Sequence, residues 1–214
     1  MSRLHVSSRR CCAAVVSLTA MSAVAAAPAF AMPPNIPSKA TAQSELDDLV
    51  VTAESSMASY ARELFPHWGT VSGTCNTRET VLKRDGGAVA VDGACYPVSG
   101  SWYSQYDGVT LTSAAAVDID HVVPLAEAWR SGASSWAASM RQRFANDLSN
   151  PQLIAVSGSS NRSKSDQDPS TWTPRAAYGC TYSKLWIGSK HAWSLHMQPA
   201  EKSAVQSLLS TCSS

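Results

Sequence analysis

The chain has 214 residues, with 17 basic and 16 acidic side chains and a formal charge of +1. That balance excludes a protein that holds a polyanion by its overall field, so any contact with nucleic acid has to be local and salt-sensitive.

The first 31 residues read as a leader and not as part of the fold. Arg3, Arg9 and Arg10 precede the run CCAAVVSLTAMSAVAAAPAF, and Ala29 and Ala31 flank Phe30 in the A-x-A arrangement that cues signal peptidase. Cleavage is expected after Ala31. A membrane anchor fits less well, because Ser17, Thr19, Ser22 and Pro28 interrupt the run. Removing 31 of 214 residues leaves 183, the size of one ordinary domain. The leader takes three basic residues and no acidic one, leaving 14 against 16 and a net charge of −2. Four cysteines remain: Cys75, Cys95, Cys180 and Cys212. An even number in an exported chain reads as two disulfides. Of the three pairings, Cys75–Cys95 with Cys180–Cys212 is preferred, since each pair falls within one half of the chain. A four-cysteine zinc site would want a C-x-x-C pair, and there is none.

Residues 32–41, MPPNIPSKAT, are rich in proline and polar, and read as a flexible lead-in. From 42 to 65 the residues Leu46, Leu49, Val50, Ala53, Met57, Tyr60, Ala61 and Leu64 form a helical stripe, predicting a helix that stops before Pro66. Between Gly69 and Gly108, Asp85-Gly86-Gly87 and Asp92-Gly93 separate short apolar runs and predict hairpins stapled by Cys75 and Cys95. VDIDHVVPL, from Val117 to Leu125, is a β-like run broken by Pro124. A helix capped at Ser134 or Ser135 should run through SWAASMRQRFANDL, followed by a strand from Asn150 to Val156. Gly158-Ser159-Ser160 reads as a loop, and Asn161 opens a further helical or turn segment. Pro199 starts a last helix, AEKSAVQSLLSTC. The expected fold is an α+β single domain over 42–214.

Phosphodiester hydrolysis needs a divalent cation, a base for water and a group that orients the base. Asp120-His121 supplies a hard oxygen ligand beside an imidazole that titrates near neutrality. Alone, the pair is ordinary, and His121 reads first as a satisfied, half-buried histidine. The later stretch NPQLIAVSGSSNRSKSDQDP adds Asn150, Asn161 and Lys164. This order of Asp-His, Asn and Asn-x-x-Lys resembles the HNH, or ββα-metal, endonuclease motif with asparagine in place of its last histidine. DHVVPLAEAWRSGASSW, FANDLSNPQLIAV and N-x-S-K-x-D-x-DP-x-x-W, with FPHW and CNTRETVL upstream, are similar to secreted bacterial HNH-family proteins. Those proteins are related to the nuclease domain at the C-terminus of GmrSD-type restriction enzymes. The resemblance runs from about Tyr60 to Cys212.

The resemblance implies an embedded ββα-metal unit, with core motif 117–170, in an extracellular endonuclease. In it, His121 is the general base, Asp120 and Asn161 hold one divalent metal, and Asn150 orients His121. An amide oxygen at position 161 tilts the metal toward Mg²⁺ or Mn²⁺ and away from zinc. Lys164 and Arg78 are candidates for phosphate contact, Arg78 reading equally as a member of a surface pair with Glu79. Asp118 shares a strand face with Asp120. The implied partner is a nucleic acid, DNA ahead of RNA, acted on by a monomer that is not bound to a membrane once processed. A secreted, non-catalytic binding domain on the same fold is the alternative. A metalloprotease would need H-E-x-x-H, which the chain lacks. His67, His191 and His196 lack ligand spacing and read as packing or surface residues. Of the seven tryptophans, those in the second half suit a core better than base stacking.

Overall fold

A computed structural model describes residues 1, 2, 30 and 32–213. The rest of the expected leader, with its cleavage site, lies outside the described residues. Helix α1 spans Lys39–Asp48 and opens on the Ser38 hydroxyl, which accepts from the Thr41 amide at 3.1 Å. It ends well before the predicted stop at 65. The β-branched run Val50-Val51-Thr52 is extended instead, and the Thr52 amide donates to the Met197 carbonyl at 3.0 Å. Only Arg62–Leu64 makes a single 3₁₀ turn later on. Met57, Tyr60 and Leu64 do pack on the core, while Val50, Ala53 and Ala61 are exposed, so beyond α1 only part of the apolar stripe reports burial and none of it a continuous helix. The lead-in is also tied down: Pro33 and Pro37 are buried, and the Asn35 amide donates to Ser149 O at 2.8 Å.

The hairpin segment holds strands β1 (Thr70–Ser72), β2 (Cys75–Asn76), β3 (Gly87–Val91), β4 (Pro97–Tyr103) and β5 (Thr110–Leu111). Strands β1 and β2 pair, and β3-β4-β5 form an antiparallel sheet. Helix α2, Thr77–Asp85, lies between them and was not expected. Its signal was present in CNTRETVL. The Asn76 side chain accepts from the Glu79 amide while the Glu79 carboxylate accepts from the Asn76 amide, a reciprocal cap.

The ribbon that matters for chemistry is β6 (Val117–His121) paired antiparallel with β7 (Leu153–Ser157), Asp120 opposite Ile154 and His121 opposite Leu153. Helices α3 (Leu125–Arg130) and α4 (Ala138–Ala145) fill the connection, and α5 (Gly158–Lys164) leaves β7 directly. The predicted loop at Gly158 is thus the first turn of α5, capped by the Ser157 hydroxyl, which accepts from the Ser160 amide at 3.1 Å. The order strand–strand–helix is present, with two helices inserted between the strands.

Two strands make a marginal sheet by themselves, and here side chains of α2 serve the free edge of β7. Asp85 Oδ2 accepts from the Ala155 amide at 2.8 Å, and Arg84 donates to Leu153 O at 2.5 Å. The faces of the ribbon pack into two cores. Ile119, Leu153 and Ala155 join Val81, Leu82 and Trp102; Ile154 and Val156 join the larger cluster with Phe65, Phe144, Tyr182 and Trp186.

Helices α6 (Gly179–Ala192) and α7 (Pro199–Ser210) complete the chain. Helix α6 was not predicted, because GCTYSKLWIGSKHA shows no polar face: residues from Tyr182 to Lys190 are buried nearly all round. Gly188 is required there, since a Cβ would sit 3.1 Å from Pro37 and 3.2 Å from Pro151. Cys180 is bonded to Cys212, tying α6 to the end of α7, and Cys75 to Cys95, closing the hairpin region. This is the pairing expected from the sequence. Among the described residues, no helix is long and apolar enough to cross a membrane.

Candidate active site

Strand β6 delivers two adjacent polar side chains to its C-terminal end, where Pro124 turns the chain into α3. Asp120 and His121 are both buried, and both line a cavity of about 320 Å³ with Asn161, Tyr60, Arg62 and Arg162. Asn161 and Arg162 come from α5, so the ribbon and the helix that follows it converge on one space.

The two ring nitrogens of His121 have different surroundings. Nε2 lies 2.9 Å from the Ala145 carbonyl, a group left unpaired at the C-terminus of α4. A carbonyl only accepts, so Nε2 carries the hydrogen and Nδ1 keeps its lone pair. The indole of Trp68 stacks on the imidazole, with centroids 5.5 Å apart and planes 24° apart. Burial, outweighing the carbonyl bond and aided by the charges of Arg62 and Lys164, drives the imidazole down to about 3. At neutral pH it is an uncharged acceptor.

This has a consequence for stability. Between its ordinary range near 6.5 and about 3, His121 takes a proton in the unfolded chain but not in the folded one. Stability is therefore lost as pH falls through that window, by at most roughly 1.4 kcal/mol per pH unit from this group. Urea titrations at several pH values should show a shallower acid dependence in His121→Gln than in wild type. Parallel curves would refute the buried neutral state.

Asp120 is held from both sides. Oδ1 accepts from Lys164 Nζ at 3.0 Å and Oδ2 from the Tyr106 hydroxyl at 2.7 Å. Burial raises its carboxyl and the Lys164 ammonium works against that. Lys164 is fully buried and also donates to His121 O at 3.0 Å. Instead of reaching a phosphate, as its sequence position suggested, it fixes the carboxylate. Arg78 is likewise engaged inward, donating to Ala114 O at 3.2 Å and Val117 O at 2.9 Å, and it does not line the cavity.

Asn161 donates through Nδ2 to Asp118 Oδ2 at 3.1 Å, which points its oxygen the other way. Asp118 thus positions an amide at the cavity. Asn150 lies elsewhere: its amide donates to Asp147 Oδ2 at 2.9 Å, and the residue lines a separate groove of about 570 Å³ that holds none of Asp120, His121 and Asn161. The support expected of Asn150 at His121 comes from Ala145 O. Asn146, next in the chain, was missed. Its Oδ1 accepts from the Gly69 amide and the Thr77 hydroxyl at 2.8 Å each, and its Nδ2 donates to Pro66 O at 2.8 Å. It fastens the FPHW segment to the turn that carries Ala145. Arg62 was missed too. It is exposed on the cavity and its side chain makes no ion pair among the described residues.

The donor set suits a hard cation. The Asp120 carboxylate and Asn161 line a polar cavity together with Asp166, which is paired with Arg130, and each Asp120 oxygen keeps a second lone pair beyond its hydrogen bond. Neither a thiolate nor a second imidazole stands in the cavity to favour zinc. A different carboxylate cluster, Glu54, Glu127 and Asp168, has its oxygens within 4.8 Å of one another. Arg130 pairs with Glu54 and Glu127, Lys190 pairs with Glu127, and the Gln198 amide donates to Asp168.

Residues 92–204 match the family described as the C-terminal domain of GmrSD restriction endonucleases, more than half of the 214-residue chain. The chain belongs to this family. The stretch shared with the GmrSD C-terminal domain holds Asp120, His121, Asn150 and Asn161, and leaves Arg62 and Trp68 outside it. A relative from Arthroderma benhamiae, described as an uncharacterized secreted protein, is 56% identical over 196 residues, covering 91% of this chain and 96% of its own length. The resemblance in the sequence pointed to bacterial proteins, whereas this relative is fungal. No solved structure matches the chain.

Proposed function

We propose that the protein is an exported, metal-dependent endonuclease that hydrolyses phosphodiester bonds of nucleic acid. The observation that carries it is the convergence of Asp120, Asn161 and an uncharged, tautomerically fixed His121 on one cavity of a ββα arrangement. Membership in a restriction-endonuclease domain family supports the same class of chemistry. Export is supported by the leader sequence, two disulfides and a secreted relative.

His121 Nδ1 accepts the proton of a water as that water's oxygen bonds to phosphorus and the ester oxygen on the far side departs. Ala145 O stabilises the imidazolium that forms, because the Nε2–H bond strengthens as the ring gains charge. Asp120 and Asn161 would hold one divalent cation, Mg²⁺ or Mn²⁺, which supplies positive charge against the phosphate. Lys164 and Tyr106 keep the Asp120 carboxylate in place, and Arg62 and Arg162 face the backbone at the cavity mouth.

The deciding experiment is nicking of supercoiled plasmid DNA by the purified mature chain, with an RNA substrate alongside. Cleavage that needs Mg²⁺ or Mn²⁺ and stops with chelator is the expected result. No cleavage of either polymer with any divalent metal would favour the non-catalytic binding domain. With a mature charge of −2, activity should fall steeply with salt. Arg62→Ala should raise KM and flatten the dependence of log KM on log salt by about 1, the share of one phosphate contact. An unchanged slope would remove Arg62 from the substrate path.

A further inference from the structure

The FPHW segment has no part in the chemistry just described, yet its last residue is placed in a costly way. Trp68 has φ +59°, in the left-handed region that bulky side chains avoid. Such backbone persists where the surroundings over-determine it, most often at functional sites. The surroundings here are specific. The Gly69 amide is held by Asn146 Oδ1 at 2.8 Å, Pro66 O by Asn146 Nδ2 at 2.8 Å, and Gly69 O accepts from the Thr77 amide at 2.9 Å. Burial alone does not call for this. Trp68 is only partly buried at the edge of the core formed by Val81, Leu82 and Trp102. What the left-handed turn provides is a flat ring laid on another ring, 5.5 Å and 24° from His121. His67 stands edge-on to both, at 5.2 Å from Trp68 and 6.2 Å from His121.

We propose that Trp68 is a positioning residue of the site, a platform that fixes the plane of the His121 imidazole. The Ala145 carbonyl holds one point on the edge of that ring and limits its tilt only loosely; the indole face packs against the plane itself. Together they set the direction of the Nδ1 lone pair. The inference rests on His121 being the base. It extends the site beyond the shared family stretch, to a residue that touches neither substrate nor metal.

The test uses the full mature chain with Trp68→Leu and Trp68→Phe. Turnover of supercoiled plasmid is measured beside an NMR spectrum of the imidazole nitrogens, which reports tautomer and ring order without activity. In Trp68→Leu, kcat should fall about 10- to 100-fold with KM unchanged, the loss typical of a misaligned group. The His121 nitrogen signals should broaden or split as the ring loses its single orientation. Trp68→Phe, which keeps a flat face, should recover most of both. Wild-type kcat and an unchanged His121 signal in Trp68→Leu would overturn the proposal. A Trp68→Phe protein as impaired as Trp68→Leu would do so as well, and it also decides the matter if Trp68→Leu does not fold. Should wild type cleave nothing while Trp68→Leu still disorders the His121 ring, the platform stands and the assignment of the base falls.

Discussion

His121→Ala is expected to lower the kcat of nucleic-acid cleavage by about 10²–10⁴, the usual contribution of a positioned base, while divalent metal still binds. The imidazole stands beside the proposed ligands without being one of them. Asp120→Asn is expected to lose both metal binding and turnover, because it removes the carboxylate proposed to hold the cation with the Asn161 amide; Asp166, which also lines the cavity, is paired with Arg130. Asn is a better probe here than Ala. Lys164 is fully buried against Asp120, and an amide oxygen can still accept from its ammonium, whereas Ala leaves the ammonium without that acceptor and risks reporting a fold defect. Calorimetric titration with Mn²⁺ and plasmid turnover, run on both variants, separate the roles. If His121→Ala lost the metal while Asp120→Asn kept it, the two assignments would have to be exchanged.

The second large effect is structural. Lys190 Nζ lies 2.7 Å from Glu127 Oε1 and 2.5 Å from Glu201 Oε1, and all three side chains are sealed from solvent. Ser131 Oγ and His196 O complete the shell at 2.8 and 2.9 Å. The lysine therefore joins α3, α6 and α7, and through Leu125 and Ala126 of α3 it supports one wall of the cavity. Lys190→Met should cost about 3–5 kcal/mol, a large share of the ~5–15 kcal/mol that stabilises a domain. Burial already pushes Glu201 up to about 7, so the double variant Lys190→Met with Glu201→Gln should regain part of the loss by removing one stranded charge. Urea melts of the three proteins test this. A single variant within 1 kcal/mol of wild type, on the order of an ordinary surface change, would mean that water reaches the cluster.

What could be read from the sequence had local causes. The cysteine pairing followed from proximity along the chain. The strands β6 and β7 followed from two short β-rich runs, and α7 from Pro199 at its start. What could not be read depended on distant partners. Helix α6 has no polar face because other elements cover every side of it. Part of the stripe from Leu46 to Leu64 was apolar because irregular chain packs on the core. Within the site, Asp120, His121 and Asn161 stood out as residue types with a chemistry. Ala145 acts through its carbonyl and Asn146 through bonds to Pro66, Gly69 and Thr77, and neither role leaves a trace in residue identity. Lys164 was visible as a cation, but only the fold shows that it faces inward. Trp68 was in view within FPHW, and its positive φ was not.

The Arg84–Asp85 pair against β7 has a further consequence. A two-stranded ribbon with a bare edge is an invitation for another chain to add a third strand, the first step toward aggregation. Here the bonding positions of that edge, Ala155 N–H and Leu153 C=O, are taken by the side chains of one dipeptide. The mimic strand is two residues long and charged, so it ends the sheet where a longer strand would extend it. The ribbon that carries Asp120 and His121 is thereby closed to neighbouring copies of the chain.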